Sequence, residues 1–271
     1  MLQILVPTDF SNNSYNALFY AAKLFKNKKS TFRIVNVCST KNDPKKEEAQ
    51  LESAQGLDAL VHRLIRDVGE NLNHDYKKIS LCSDLSEGIA DYAKTNKVDL
   101  TVIGNKAQEE VKHILFGNNA MQLVREITHC PVLIVPLEID FKKVDKLAFT
   151  SNYTYPIAEE NSKAIIFFSE LMDSVVVPMR IQENKGNDTA EKNRTQFLNA
   201  IAHKSGKEVE LPIFDGKVNT ILEFVDLWKI GMLCMVYYPH HFFLEFIGNG
   251  IIKELNTKLK VPFLILPNRQ S

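Results

Sequence analysis

The sequence predicts an α/β protein of two tandem domains, each a doubly wound parallel sheet of five strands. Three observations predict it: an internal repeat, an alternation of strand-like and helix-like segments, and strands that read as continuous apolar runs. The repeat decides the architecture first. Gly117-Asn118 and Cys130-Pro131-Val132-Leu133-Ile134-Val135-Pro136 recur as Gly248-Asn249 and Val261-Pro262-Phe263-Leu264-Ile265-Leu266-Pro267, each position shifted by 131. Asp84 and Asp215 fall on the same shift, so the register reads as unbroken over about fifty residues. Leu2-Gln3-Ile4-Leu5-Val6-Pro7-Thr8-Asp9 resembles Val144-Asp145-Lys146-Leu147-Ala148-Phe149-Thr150-Ser151 at a shift of 142, which makes the second copy shorter in its middle. A repeat of about 130 residues buries its own core, so the units are domains and not solenoid turns. The polar passage 138–143 holds the junction, giving domains at 1–140 and 141–271.

The elements follow in order. Residues 4–7 form a strand, and 14–25 a helix whose Ala17, Leu18, Ala21, Ala22, Leu24 and Phe25 keep a 3.6 period. The polar run 11–14 supplies its cap. Residues 32–38 form a second strand, and 45–72 a long charged helix with Leu57, Leu60, Val61, Leu64, Ile65 and Val68 in its stripe. Strand 79–82, helix 86–94 entered from Asp84 or Ser86, strand 100–103, helix 118–127 and strand 132–135 complete the first half. The second half repeats the order, with strands at 146–149, 175–177, 208–213, 232–236 and 263–266 and helices at 157–171, 190–204, 218–227 and 250–259. Strict β-α alternation argues a parallel sheet covered on both faces, flavodoxin- or Rossmann-like, with right-handed crossovers.

Composition narrows the function. The 271 residues are 45% hydrophobic, and Lys plus Arg equals Asp plus Glu at 33 each. No overall field favours nucleic acid or an anionic membrane. The basic run Lys26-Asn27-Lys28-Lys29 reads as a solvated loop. No apolar run approaches the ~20 residues of a membrane span, and Met1 leads straight into a strand, so the expectation is a cytoplasmic protein without a signal peptide. Cys38, Cys82, Cys130 and Cys234 are far apart in sequence, beside apolar runs, and read as buried reduced thiols.

Ligands of such sheets sit at the carboxyl ends of the strands, where strand order reverses. Two segments of the first half end there: Val6-Pro7-Thr8-Asp9-Phe10-Ser11, and Val102-Ile103-Gly104-Asn105-Lys106-Ala107 leading to Gly117-Asn118 and a helix. Glycines let main chain approach a phosphate, and a helix N-terminus offers free N–H groups, so an anion or phosphate cradle between Gly104 and Asn118 is expected. Asp9 also reads as a cap for the helix after it, and Gly117 as a shaper of helix entry.

These segments, with Asp99-Leu100-Thr101-Val102-Ile103-Gly104 and the run from Cys130 to Pro136, resemble the universal stress protein family in tandem form. The family's nucleotide pattern is a Gly, two residues, a Gly, nine residues, then Gly-Ser or Gly-Thr. Gly104 matches the first glycine, Ala107 replaces the second, Gly117 matches the third, and Asn118 replaces the hydroxyl residue. The resemblance implies that Asp9 meets the ribose or adenine side and that Val37 contacts adenine through its main chain. A cofactor such as ATP or AMP is expected to bind weakly, in the first half alone. The Ala107 Cβ intrudes where main chain must touch phosphate, and Glu109 and Glu110 add negative charge that Lys106 and Lys112 partly offset.

In the second half Ser151 takes the place of Asp9, Met235 of Gly104 and Tyr238 of Ala107, on the shifts above. The loop after its fourth strand carries Tyr237, Tyr238, Phe242, Phe243 and Phe246, too bulky for a phosphate chain. His240-His241 point apart and lack a third metal ligand nearby in sequence.

The leading function is a non-enzymatic stress-response or signalling module with a degenerate nucleotide site in the first half. The alternatives are an ATP-hydrolysing relative and a purely structural dimerisation protein. No Ser-His-Asp grouping, metal cluster or Walker-type loop supports catalysis. A protein partner or self-association is expected. The fifth strands, 132–135 and 263–266, are expected to pair within the chain as a pseudo-dimer. An aromatic loop divides its side chains between the vacated site and a partner surface. Phe242→Ser with Phe243→Ser is therefore expected to change association, read by light scattering, more than it lowers the melting temperature.

Overall fold

A computed structural model describes residues 1–39, 44–105, 117–137, 139–181, 188–206, 209–211, 218–238 and 259–268. The chain divides into two compact units, Met1–Phe141 and Lys142–Ser271. The first unit runs β1 (Leu2–Pro7), α1 (Asn12–Leu24), β2 (Ser30–Ser39), α2 (Lys46–Val68), β3 (His74–Cys82), α3 (Leu85–Thr95), β4 (Leu100–Asn105), α4 (Gly117–Glu126) and β5 (Val132–Pro136). Its strands lie in the order β3-β2-β1-β4-β5, and every pairing is parallel. The second unit runs β6 (Lys146–Ser151), α5 (Glu159–Met172), β7 (Val175–Ile181), α6 (Asp188–Ala200), β8 (Val209–Leu211), α7 (Val218–Leu227), β9 (Met232–Tyr237) and β10 (Phe263–Pro267). Its order, β8-β7-β6-β9-β10, is the same winding, again with parallel pairs. The expected helix 250–259 falls almost wholly outside the described residues, as do residues 208, 212 and 213 of the expected strand 208–213.

Burial explains the strands. Ile4, Leu5 and Val6 of central β1 are fully buried, as are Val102 and Ile103 of β4 and Leu147, Ala148 and Phe149 of β6. A strand covered on both faces tolerates no polar alternation. The edge strand β3 differs: it starts at His74, five residues before the expected start, because His74-Asp75-Tyr76-Lys77-Lys78 carries too many polar residues to read as strand. An edge strand needs pairing on one side only, and β2 supplies it through Ser30↔His74 to Val37↔Leu81. Helix α2 stops at Val68, short of the expected 72, since Gly69 adopts φ 82° and its N–H closes on Ile65 O at 2.8 Å. Ser53, Leu57, Leu60, Val61 and Leu64 make its buried stripe.

The first helix of each unit is fastened to the last strand by one asparagine. Asn16 Nδ2 donates to the Pro136 and Leu137 carbonyls at 3.0 and 3.2 Å. Asn161 Nδ2 donates to the Pro267 carbonyl at 2.9 Å. These asparagines escape a sequence comparison because they lie outside the matched runs. Proline ends the strand in both units, and the side-chain amide takes the carbonyl that no further ladder answers. Replacing Asn161, which is buried, by Ala is expected to cost about 1–3 kcal/mol, because a buried carbonyl loses its donor. Chemical denaturation of Asn161→Ala checks this, and a change below about 0.5 kcal/mol contradicts it.

Candidate functional site

Strand order reverses between β1 and β4, so the first unit's switch point lies beyond Pro7 and Asn105. The turn that follows β1 is closed by side-chain oxygens. Thr8 Oγ1 accepts the Phe10 N–H at 3.0 Å. Asp9 Oδ1 accepts three donors: Ser11 N at 3.1 Å, Ser11 Oγ at 2.5 Å and Ser14 Oγ at 2.8 Å. Ser11 in turn is the N-cap of α1, accepting from Ser14 N at 3.3 Å. Asp9 thus organises the cap from one step outside it, and its Oδ2 takes no donor among the described residues. Phe10 sits at φ 63° and is 39% exposed, its ring lying on α2 at Gly56. A Cβ on Gly56 would come within 2.8 Å of the ring tip, so glycine lets Phe10 lie closest to α2 and a larger residue would make the ring shift. Alongside, Arg63 of α2 stacks 3.7 Å over the Tyr15 ring, and the Tyr15 hydroxyl donates to Asp67. Burial, reinforced by the Asp67 carboxylate, pushes the Tyr15 phenol up.

Val37 lies where β2 outlasts β1. Pairing between them ends at Pro7↔Val35, and Thr8 N donates to Val35 O at 2.8 Å. In a parallel ladder alternate residues turn their N–H and C=O to the same neighbour, so Val37 directs its main chain toward the edge that β1 has vacated. Asn36 Nδ2 closes part of that gap by donating to Thr8 O at 2.8 Å. Asp9 and Val37 therefore both lie past the last β1–β2 pair, at the carboxyl ends of the two strands.

Gly104 borders the same place from β4. A Cβ built on it would stand 2.6 Å from the Asn13 carbonyl oxygen and 2.8 Å from the Asn13 side chain. Packing against the first turn of α1 alone demands glycine there. Asn13 is buried, and its Oδ1 has no partner among the described residues. Gly117 and Asn118 open α4, the helix that crosses over from β4, so its N-terminus lies on the carboxyl side of the sheet. Ala107 lies outside the described residues, with the rest of the expected cradle and with Lys106, Glu109, Glu110 and Lys112. Phe10, Asn13, Ser14 and Asn36 were not singled out in the sequence. The polar run after β1, which reads as a helix cap, was the trace of Asn13 and Ser14; Phe10 appears within the segment from Val6 to Ser11, and Asn36 within the second strand.

Hydrogen bonding corrects the correspondence between the halves. Asp99 N bonds to Gln3 O and Gly231 N to Lys146 O; Thr101 N bonds to Pro131 O and Leu233 N to Pro262 O. Position 101 therefore matches 233, while Pro131 still matches Pro262. Gly104, paired with Val135, corresponds to Val236, paired with Leu266, and not to Met235. The expected gapless register fails by one residue between the fourth and fifth strands. A loop absorbs a one-residue change, whereas a strand slipped by one would turn its buried face outward. The position matching Ala107 is then not Tyr238 and lies outside the described residues. At the start of the unit, Tyr153 N bonds Ser151 Oγ at 2.9 Å and Thr154 N bonds Asn152 Oδ1 at 3.1 Å. Ser151 thus matches Thr8, and Asn152, not Ser151, stands for Asp9. Tyr153, at φ 57°, matches Phe10.

The second unit keeps the turn and fills the space. Tyr153 is fully buried and packs with Phe149 and with Phe197 of α6, at 6.5 and 5.9 Å between ring centroids. Tyr238 lies 5.1 Å from Tyr155, and burial pushes its phenol up. His240, His241, Phe242, Phe243 and Phe246 lie outside the described residues. Among the described residues no group of three His, Cys, Asp or Glu could hold a metal, and no helix is long and apolar enough to cross a membrane.

Gly104→Ala is expected to lower stability by about 1–3 kcal/mol with or without ligand, because main chain on α1 must yield. Thermal unfolding checks this; an unchanged midpoint would assign Gly104 to ligand approach alone.

The universal stress protein family model matches residues 1–136, half of the chain. A universal stress protein of Methanocaldococcus jannaschii is 27% identical over 147 residues, 49% of this chain and 81% of that protein. A solved universal stress protein of Archaeoglobus fulgidus DSM 4304 is similar over 98% of both chains, with TM-score 0.72 and 15% identity. A solved putative universal stress protein of Pseudomonas aeruginosa covers 98% of this chain and 92% of its own, with TM-score 0.54 and 12% identity. The chain belongs to the universal stress protein family and carries the family fold twice in tandem.

Proposed function

We propose that the first unit binds an adenine nucleotide, weakly, at the carboxyl ends of β1, β2 and β4, and that the protein works as a non-enzymatic stress-response or signalling module. The observation that carries this reading is that Asp9, with one oxygen unused by its turn, and the Val37 main chain both lie where β2 outlasts β1. A carboxylate with one uncommitted oxygen faces a ribose hydroxyl donor, and a strand edge without a neighbour offers an acceptor and a donor to a base. Gly117 and Asn118 at the start of α4 supply main-chain N–H groups for phosphate, and Ala107 weakens the approach. The second unit is left without nucleotide. Asn152 keeps the turn of Asp9 as a neutral isostere, and aromatic side chains take the room.

A non-catalytic role fits a site whose serine hydroxyls are committed to the Asp9 turn and which, among the described residues, gathers no three metal-ligating side chains. The occupied and empty states of the first unit then differ in surface, and a protein partner or a second copy reads the difference.

Calorimetry with ATP on the full chain tests this. Ala107→Gly with Asn118→Ser is expected to tighten binding at least about tenfold, or ~1.4 kcal/mol. Asp9→Asn, the second unit's own solution, is expected to weaken binding roughly tenfold while leaving the fold intact, since it exchanges a charged acceptor for a neutral one. Tight binding by the unaltered chain would overturn the degenerate site. ATP turnover that Asp9→Asn abolishes would overturn the non-enzymatic reading.

A further inference from the structure

The four thiols fall into two classes, against the expectation that all are buried. Cys130 is 2% exposed and Cys234 fully buried. Cys38 and Cys82 are half-buried, at the carboxyl ends of neighbouring strands β2 and β3, with their sulfurs 3.9 Å apart. Cys38 Sγ also lies 3.5 Å from the Leu81 carbonyl oxygen. The ladder is irregular at this point. Val37 pairs with Leu81 and Ser39 with Cys82, so Cys38 is the extra residue of a bulge. Neighbouring strands run ~4.7–4.9 Å apart, inside the ~4.4–6.8 Å Cα separation that a disulfide spans. An S–S bond of ~2.05 Å asks the sulfurs to close by a little under ~2 Å. Side-chain rotation and give at the bulge can supply that, because a bulged residue is held by fewer ladder bonds.

We propose that Cys38 and Cys82 form a reversible disulfide site, closed by a peroxide and reopened by a thiol, and that closing it moves the main chain at Val37. In the first step one thiolate attacks a peroxide oxygen. The O–O bond breaks, an S–O bond forms, and the leaving oxygen departs as water. The second thiolate then attacks the sulfenic sulfur. The S–S bond forms and the sulfenic oxygen leaves as a second water. Two thiols lose two electrons and two protons together, and one peroxide becomes two waters. A small-molecule dithiol reverses the process by exchange. The bond would draw the bulge flat between Val37 and Ser39, and Val37 is the residue whose main chain faces the vacated edge of β1. Its consequence for a nucleotide rests on the proposed function; the disulfide itself does not. Cys130 and Cys234 serve as internal controls, since buried thiols are inert.

The test exposes the full chain to hydrogen peroxide, alkylates the remaining thiols and maps peptides by mass spectrometry. The expected product is one intramolecular pair joining Cys38 to Cys82, about 2 Da lighter than the two thiols and restored by dithiothreitol. Cys130 and Cys234 are expected to be alkylated only after denaturation. Cys38→Ser and Cys82→Ser are each expected to leave the other thiol as a sulfenic acid trapped by dimedone, with no linked peptide. Hydrogen exchange at the Val37 amide is expected to change at least about threefold on oxidation of the unaltered chain, and not in Cys82→Ser. Sulfenic or sulfinic acid without the linked peptide, or a link to a second chain instead, would overturn the disulfide. A linked peptide with an unchanged Val37 amide would overturn its effect on the main chain. Neither readout involves a nucleotide, so failure here and failure of the nucleotide site are separate results.

Discussion

The turn that leaves the first strand of each unit depends on one side-chain oxygen, two residues past β1 and one residue past β6. In the first unit it belongs to Asp9 and gathers the Ser11 N–H and two hydroxyls. In the second it belongs to Asn152 and holds the Thr154 N–H. The chain must turn sharply from a buried strand into a helix that covers it, and the turn strands amides that neither element can use. The oxygen collects them, and the residue between is forced to positive φ, Phe10 in one unit and Tyr153 in the other. A non-glycine residue in that region is costly unless its surroundings fix it. Each unit answers with an aromatic ring laid on the second helix, on Gly56 in one and against Phe197 in the other.

That shared turn separates structure from binding more cleanly than the motif does. An acid and its amide hold the same turn, so the turn does not require charge. What Asp9 adds over Asn152 is the charge, two hydroxyl donors gathered on the oxygen that closes the turn, and a second acceptor oxygen that the turn does not use. The same logic applies to Gly104, in the opposite sense. Its closeness to Asn13 is sufficient reason for glycine, so Gly104 is weak testimony for a phosphate. Val236, its counterpart, shows that the second unit's strand carries a side chain at this position.

The fold was legible because parallel strands buried on both faces leave few sequences to choose from. Ile4 to Val6, Val102, Ile103 and the run from Val132 to Val135 announce themselves by apolar content alone. The edge strand β3 was half legible, since His74 to Lys78 pair on one side and face water on the other. The correspondence between halves was legible only to within one residue. Identities at Gly117 and Gly248, or Asp84 and Asp215, do not reveal a loop one residue shorter, whereas carbonyl partners do. The places of Asp9, just past β1, and of Val37, near the carboxyl end of β2, were legible. Asn16, Asn36 and Asn161 were not, because an asparagine that donates to a strand-end carbonyl has no periodicity and no motif.

The thiol pair was invisible for a related reason. Cys38 and Cys82 are separated by a long helix, and no spacing rule joins them. A parallel pairing in the register Val37↔Leu81 is what brings them side by side. Equal burial of all four cysteines was the natural expectation from their apolar neighbours, yet β2 and β3 run on past the last β1 pair, and Cys38 and Cys82 lie half-buried in that overhang. The same overhang that carries the Val37 main chain past β1 leaves the two sulfurs half-buried. One feature of strand length, β2 outlasting β1, therefore places the proposed binding edge and the proposed disulfide pair on adjacent residues. Any ligand using that edge meets a main chain whose position depends on the residue beside it.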